Sequence, residues 1–245
     1  MLSRAPAGAA GNGLLNALVA YWPGDEANGD RLDVHTNALH LTDTNTVTSD
    51  TGLVYATARQ YTRANGEYHT RPGDDALLSG GNVDFTIAAW VYLDDLSAHA
   101  IATKYNASGL SCYALWYSIL SANRFALYVR NAANTGCYSA VANTFGVPVV
   151  NTWYLVIGMH SVNDNKVYIQ INDGSVDSGA GAGGVDSAAV FKIGTWSAGN
   201  DPMNGRIGPT AFWKSAPGGG GVLTAEQRTA LWNAGAGLKY EDLTA

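Results

Sequence analysis

The chain has 245 residues, a formal net charge of −6, 47% apolar and 14% charged residues, 29 Gly and two Cys. This composition excludes wholesale disorder, and an acidic balance without a basic run excludes the usual electrostatic footprint of a nucleic-acid partner. No apolar stretch reaches the length of a membrane span, and the amino-terminal MLSRAPAGAAGNGLLNA lacks the continuous apolar core of a secretory signal. The length suits one large all-β domain whose core stands without metals or disulfides. Cys112 and Cys137 have no metal-ligand spacing, so a structural pair and two buried free thiols both stay open.

Taken in order, residues 1–17 are small and rich in Ala and Gly, and read as a flexible arm that either stays disordered or docks on a larger assembly. Residues 18–245 read as one domain. Leu18 to Trp22 is a short strand, followed by the polar loop Gly24 to Asp30 that leads to Asp33. Leu39, Leu41 and Val47 belong to a strand pair, and Tyr55 to Tyr61 and Tyr68 to Thr70 flank an Asn65-Gly66 turn. Asp84 to Leu93 is the cleanest strand. Phe85, Ile87, Ala89, Val91 and Leu93 face one way, and Thr86, Ala88, Trp90 and Tyr92 face the other.

Ile101 to Lys104, Cys112 to Ile119, Arg124 to Arg130 and Cys137 to Ala142 continue as meander strands. Trp153 to Met159 and Lys166 to Ile171 flank Asn163-Asp164-Asn165 as a β-hairpin, and the second strand closes on Asn172-Asp173-Gly174. Val190 to Ile193 and Gly205 to Trp213 supply the last strands. Thr224-Ala-Glu-Gln227 is a capping box that opens one helix, with Gly235 as its expected C′ residue. The predicted fold is all-β, a two-sheet antiparallel jelly-roll sandwich with one short C-terminal helix.

The segments LVAYWPGDEANGDRLD, DFTIAAWVYL, NTWYLVIGMH with KVYIQINDG, NGRIGPTAFWKS and LTAEQRTALWNAG follow one another in this order. Together they resemble the laminin-G-like, concanavalin-A-like jelly roll, in the stand-alone form found among phage and bacterial surface proteins, over about residues 18 to 243. The resemblance implies two curved sheets of about six or seven strands each, and a role in glycan or protein recognition, in some members with calcium. The chain departs from the family at Gly208-Pro209, where an acidic residue usually follows Gly-Arg-Ile.

Retaining β-glucanases of this fold resemble one another in a Glu-x-Asp-x-x-Glu or Glu-x-Asp-x-Glu strand, which sets two carboxyls about 5 Å apart. The four Glu here, Glu26, Glu67, Glu226 and Glu241, are dispersed, and no Gly-x-Ser-x-Gly elbow or His-x-x-x-His spacing is present. The Gly179 to Gly184 run opens no helix and reads as a loop rather than a phosphate cradle. The chain is therefore expected not to be an enzyme.

Two features are candidates for binding. Strand parity sets Trp90 and Tyr92, Trp116, and Tyr128 with Arg124 and Arg130 on off-core faces, as aromatic platforms with flanking donors for a glycan or a protein interface; the alternative is packing under loops or the helix. Asp25, Glu26, Asn28, Asp30 and Asp33 crowd oxygen ligands suited to calcium, the alternative being an Asx-rich turn. The sequon Asn106-Ala-Ser108 matters only in a eukaryotic secretory setting. The leading expectation is a non-catalytic surface module of a phage or virus particle, a capsid decoration or virion surface protein. It would be homo-oligomeric and in contact with other virion proteins, with glycan adhesion as an added role. The alternative is a carbohydrate-binding lectin or adhesin at a bacterial surface, and a glycoside hydrolase comes third.

Overall fold

The computed structural model describes residues 11–105, 111–119, 122–197, 200–215 and 220–245. The Asn106 sequon and residues 1–10 lie outside them. The described strands in chain order are β1 (Leu18–Trp22), β2 (Thr42–Thr44), β3 (Thr48–Thr51), β4 (Thr57–Tyr61), β5 (Tyr68–Thr70), β6 (Phe85–Leu93), β7 (His99–Tyr105) and β8 (Ser111–Tyr117). They continue with β9 (Phe125–Arg130), β10 (Cys137–Val141), β11 (Trp153–Ser161), β12 (Lys166–Ile171), β13 (Val176–Ala180), β14 (Phe191–Ile193) and β15 (Gly205–Lys214), before helix α1 (Ala225–Trp232).

These strands form two antiparallel sheets. One has eight strands in the order β13-β12-β11-β6-β15-β4-β3, with β1 also paired to β15. The other has seven, in the order β10-β9-β8-β7-β14-β5-β2. The jelly-roll sandwich expected from the sequence is therefore the fold. Strand β13, whose sequence VDSGA has no apolar alternation, is an addition: it pairs with β12 from Gln170–Val176 to Lys166–Ala180.

Period-two alternation builds the core between the sheets. Phe85, Ile87, Ala89, Val91 and Leu93 face Tyr113, Leu115, Tyr117, Phe125, Leu127 and Val129 in one buried cluster. Each large side chain buried there contributes roughly 1.5–3 kcal/mol. A one-residue register slip would turn a whole such row to the other face, so the alternation fixes the pairing.

One irregularity matters for the site. Ile207 pairs with Val91 and Thr210 with Ala89, so three residue steps on β15 oppose two on β6. This is a β-bulge at Gly208-Pro209, where a proline that cannot donate to the ladder is tolerated. Arg31, fully buried, fills the space beneath it. Its Nη2 donates to the carbonyl of Gly208 and to Thr210 Oγ1 (3.1 Å), and its Nη1 donates to Tyr61 Oη at 3.2 Å. The buried guanidinium, with no carboxylate of the described residues within ion-pair distance, is thus held by backbone and hydroxyl oxygens at and around the bulge.

Helix α1 begins at the predicted capping box: Thr224 Oγ1 accepts from the Gln227 amide (3.3 Å) and Gln227 Oε1 from the Thr224 amide (2.9 Å). It ends two residues earlier than expected, because Asn233 takes the left-handed cap with φ 47° and ψ 53°, a conformation asparagine tolerates. Both cysteines are free, Cys112 buried and Cys137 exposed. His160 is a buried strand residue whose ring nitrogens lie 3.0 Å and 2.9 Å from the carbonyls of Val83 and Gly181, which accounts for it structurally.

Candidate functional site

The outer face of the eight-stranded sheet has a covered part and an open end. The covered part lies under α1 and the chain termini. Trp90 is 3% exposed, and the Trp232 ring stacks on it at 5.3 Å and 15°. Gly237, at φ 72°, passes so close that a Cβ there would lie 3.0 Å from Trp90 Nε1. A cavity of only about 10 Å³ remains beside Trp90 beneath the helix. Trp90 is therefore a core ring, and its expected role as a platform is corrected: the helix supplies the cover that sequence parity does not reveal.

The described part of the arm joins this cover. Leu14 is fully buried, Asn12 exchanges hydrogen bonds with Thr244 (2.6 and 2.9 Å), and Trp213 Nε1 donates to the Leu14 carbonyl at 2.7 Å. Among the described residues, folded contacts are thus already made ahead of Leu18.

Tyr92 lies beyond the cover. Ladder pairings link Trp153 to Tyr92, Tyr92 to Arg206, Arg206 to Gln60 and Gln60 to Thr48. These five residues form one outward row across β11, β6, β15, β4 and β3. With strands about 4.8 Å apart the row is roughly 19 Å long. Trp153, Tyr92, Arg206 and Gln60 are half-buried and Thr48 is exposed.

The row is braced from below and from the sides. The Trp153 and Tyr92 rings lie 5.4 Å apart at 57°, and the Arg206 guanidinium sits 4.0 Å over the Tyr92 ring, a cation–π contact. Arg206 Nη1 donates to the Thr51 carbonyl (2.8 Å), and Asp50 Oδ2 lies 3.7 Å from its Nε. Gln60 Nε2 donates to Asp94 Oδ2 at 3.2 Å. Trp153 rests on the bulge: a Cβ at Gly208 would meet its indole at 3.5 Å. The row combines ring faces with donors and acceptors held in place by neighbours.

The outer face of the seven-stranded sheet carries another aromatic group. Tyr105 packs on Trp196 (4.9 Å), Tyr128 (5.7 Å) and Trp116 (6.0 Å), and Trp116 packs on Tyr128 (5.2 Å). Trp116 and Tyr128 are only 4% and 5% exposed, so these two expected platform rings are brought together but packed. The Trp116 indole N–H is buried without an acceptor among the described residues. Burial first, with the Cys137 thiol adding to it, pushes the Tyr128 hydroxyl up to about 12. Arg130 Nη1 donates to Tyr128 Oη (3.3 Å), whereas Arg124 donates to the Asn123 carbonyl (3.0 Å). The two arginines stand at opposite ends of β9, about 20 Å apart at strand rise, and do not converge.

The acidic loop is occupied with structural work. Asp33 accepts from the amides of Tyr21, His35 and Leu39 (2.9, 2.9 and 2.8 Å), Glu26 from Leu32 N (2.6 Å) and Asp30 from Asp43 N (2.9 Å). Glu26 also lies 3.9 Å from Arg59 Nε. Asp25 and Asn28 are exposed. Among the described residues no three His, Cys, Asp or Glu side chains converge as a metal requires. Two buried guanidiniums, Arg31 and Arg59, lie beneath the loop, and Arg59 donates to the carbonyls of Glu26 and Gly29.

Sequence reasoning named Tyr92 but missed Trp153, Arg206 and Gln60. Their outward parity is visible strand by strand, but their convergence needs the pairing of distant strands.

A family model described as the concanavalin A-like lectin/glucanases superfamily matches residues 64–219. No curated protein sequence matches the chain. One solved structure of similar fold is domain 4 of AbnA, a GH43 extracellular arabinanase from Geobacillus stearothermophilus, in complex with arabinotriose. It is 17% identical with a TM-score of 0.56, over 86% of this chain and 96% of that one. The botulinum neurotoxin serotype D binding domain is 8% identical with a TM-score of 0.59, over 89% and 51%. A Trypanosoma rangeli sialidase in complex with sialic acid is 14% identical with a TM-score of 0.57, over 88% and 32%. This chain thus spans about half of the toxin binding domain and about a third of the sialidase. At these identities the likeness is one of fold.

Proposed function

We propose that this chain, which belongs to the concanavalin A-like lectin/glucanase superfamily, binds an extended, largely uncharged oligosaccharide along the Trp153–Tyr92–Arg206–Gln60 row. The row itself is the observation that carries this reading. Aromatic faces stack on the apolar faces of sugar rings, and fixed polar side chains beside them hydrogen-bond hydroxyls. A length of roughly 19 Å suits several sugar units in line rather than one. Arg206 is balanced by Asp50, and Gln60 is braced by Asp94, so the surface presents mixed rather than one-signed charge. The arabinotriose and sialic acid complexes of similar folds support a saccharide as the ligand class.

Binding rather than cleavage is the reading we favour. Glycoside hydrolysis takes two carboxyls about 5–9.5 Å apart across the scissile bond. The acids beside the row are Asp50, on β3, and Asp94, just past the end of β6. Each is turned to a neighbour, Arg206 or Gln60. Display in many copies on a virion or a cell surface would raise weak binding per site to useful avidity.

The test is a glycan array probed with the wild type, Trp153→Ala and Tyr92→Ala, with thermal melts alongside. Each substitution is expected to weaken binding by about 2 kcal/mol, as for an aromatic anchor, while the fold is retained. A silent array, or hits that both variants bind as well as the wild type, would overturn the reading. Release of reducing sugar from a bound glycan would overturn its non-catalytic part.

A further inference from the structure

We propose a second ligand site, independent of the oligosaccharide reading, at the opposite end of the same outer face: a groove that takes a small apolar molecule bearing one carboxylate. The groove has a volume of about 340 Å³ and is lined by Met159, Asp164, Tyr168, Val176, Val222 and Arg228. That volume falls at the lower end of the roughly 300–1,000 Å³ of small-molecule sites. Met159 is six residues along β11 from Trp153, about 20 Å at strand rise, so the groove and the row are separate places.

The lining divides into an apolar bed and one cation. Met159, Val176, Val222 and the ring of Tyr168 form the bed. Val176 is 39% exposed, unusual for a valine on a strand, and it leaves apolar surface open to a ligand. The Tyr168 hydroxyl donates to Asp164 Oδ2 at 3.0 Å, which turns the groove's one carboxylate toward the tyrosine.

Arg228 supplies the cation. Its Nε donates to Gln170 Oε1 (2.5 Å), and its Nη1 donates to the Leu223 carbonyl (2.6 Å) and lies 3.9 Å from Met159 Sδ. Two anchored nitrogens fix the guanidinium plane, and Nη2 is left without a partner among the described residues. No carboxylate there lies within ion-pair distance of it. The nearby Asp173 is occupied, accepting from Thr229 Oγ1 at 2.8 Å. Burial lowers the guanidinium's pKa, with Glu226 and Asp173 acting the other way, yet arginine stays charged in proteins. In a chain of net charge −6, this is a half-buried cation with an oriented donor and, among the described residues, no carboxylate within ion-pair distance, beside open apolar surface. A carboxylate on Nη2 with an apolar body over Met159, Val176 and Val222 satisfies both.

The experiment is a titration of the full chain with octanoate, followed by calorimetry and by two-dimensional NMR, with octanamide as the uncharged control. The expected result is saturable octanoate binding with shifts confined to the groove, and octanamide weaker by roughly tenfold or more for loss of the charge-assisted bond. Arg228→Gln is expected to lose that preference. Because Arg228 also braces Gln170 and Leu223, a second variant at an exposed position, Val176→Glu, places a like charge in the groove and is expected to weaken octanoate by a similar factor while the melt is unchanged. Trp153→Ala is expected to leave octanoate binding intact. Absence of octanoate binding, equal affinity for octanoate and octanamide, or unchanged octanoate affinity in both groove variants would each overturn the proposal.

Discussion

Trp90 and Trp153 point out of the same sheet, on neighbouring strands and two ladder positions apart. One is sealed under Trp232 and the other is half-open. On the opposite sheet, Trp116 also points outward and is nevertheless buried, by Tyr105 and Tyr128, with Trp196 packed on Tyr105. Outward parity thus has three outcomes in this molecule: covered by a helix, packed into a lateral aromatic cluster, or left at an open end. What separates them is the path of residues far away in the chain. The C-terminal segment lays Trp232, Leu231 and Leu238 against Trp90, the strap from Asn12 to Leu15 packs at Trp213, and Trp153 at the edge of the same cluster stays half-open.

The largest break of this comparison is Trp90→Ala. It removes a buried ring and its stacking partner's support, and is expected to cost about 3–5 kcal/mol in denaturant unfolding. A cost like that of an exposed aromatic would mean that the helix does not seal the face.

The layer that both faces share responds to pH through His69. Its pKa is held well below 6.5, first by burial and then by Arg31 and Arg59. A depressed histidine pKa contributes stability that is present above pH 6.5 and lost as pH falls toward the folded-state value. Each pH unit in that window costs at most about 1.4 kcal/mol. Urea unfolding from pH 7.5 to 4.5 is expected to show this slope, and His69→Gln to flatten it. An equal slope in the variant would assign the acid sensitivity elsewhere.

Trp153→Ala sharpens the comparison directly. It is expected to cost less stability than Trp90→Ala, about 1–2 kcal/mol for a partly exposed ring, while weakening glycan binding by about 2 kcal/mol. The smallest effect is expected at Trp116→Phe, which keeps an aromatic in the cluster and removes the buried unpaired N–H. Loss of packing and relief of desolvation oppose each other, and the net change is expected below about 1 kcal/mol. A loss of several kcal/mol there would reveal a partner for the indole.

Much of the sandwich is written locally. The alternation Phe85, Ile87, Ala89, Val91, Leu93 predicts both a strand and its inner face, because a slip by one residue would expose five apolar side chains. Thr224 and Gln227 fix the helix start through two short-range hydrogen bonds. Strand β13 escaped prediction because VDSGA carries no apolar rhythm and is held by its pairing with β12. Asn233 rather than Gly235 closes the helix because a left-handed asparagine suffices where glycine was expected. The oxygens of the acidic loop cluster in sequence. In space they face backbone amides and Arg59.

The sequence by itself therefore determined the all-β class, the inward and outward parity of the principal strands and the capped helix, since each depends on neighbours within a few residues. Only the tertiary structure decided which outward rings are open. It joined residues 48, 60, 92, 153 and 206 in one row, sealed Trp90 beneath Trp232, and turned Arg228 into a groove where no carboxylate of the described residues lies within ion-pair distance. Those outcomes come from the pairing of distant strands and the path of the chain ends, which no local pattern of hydrophobicity or turn chemistry encodes.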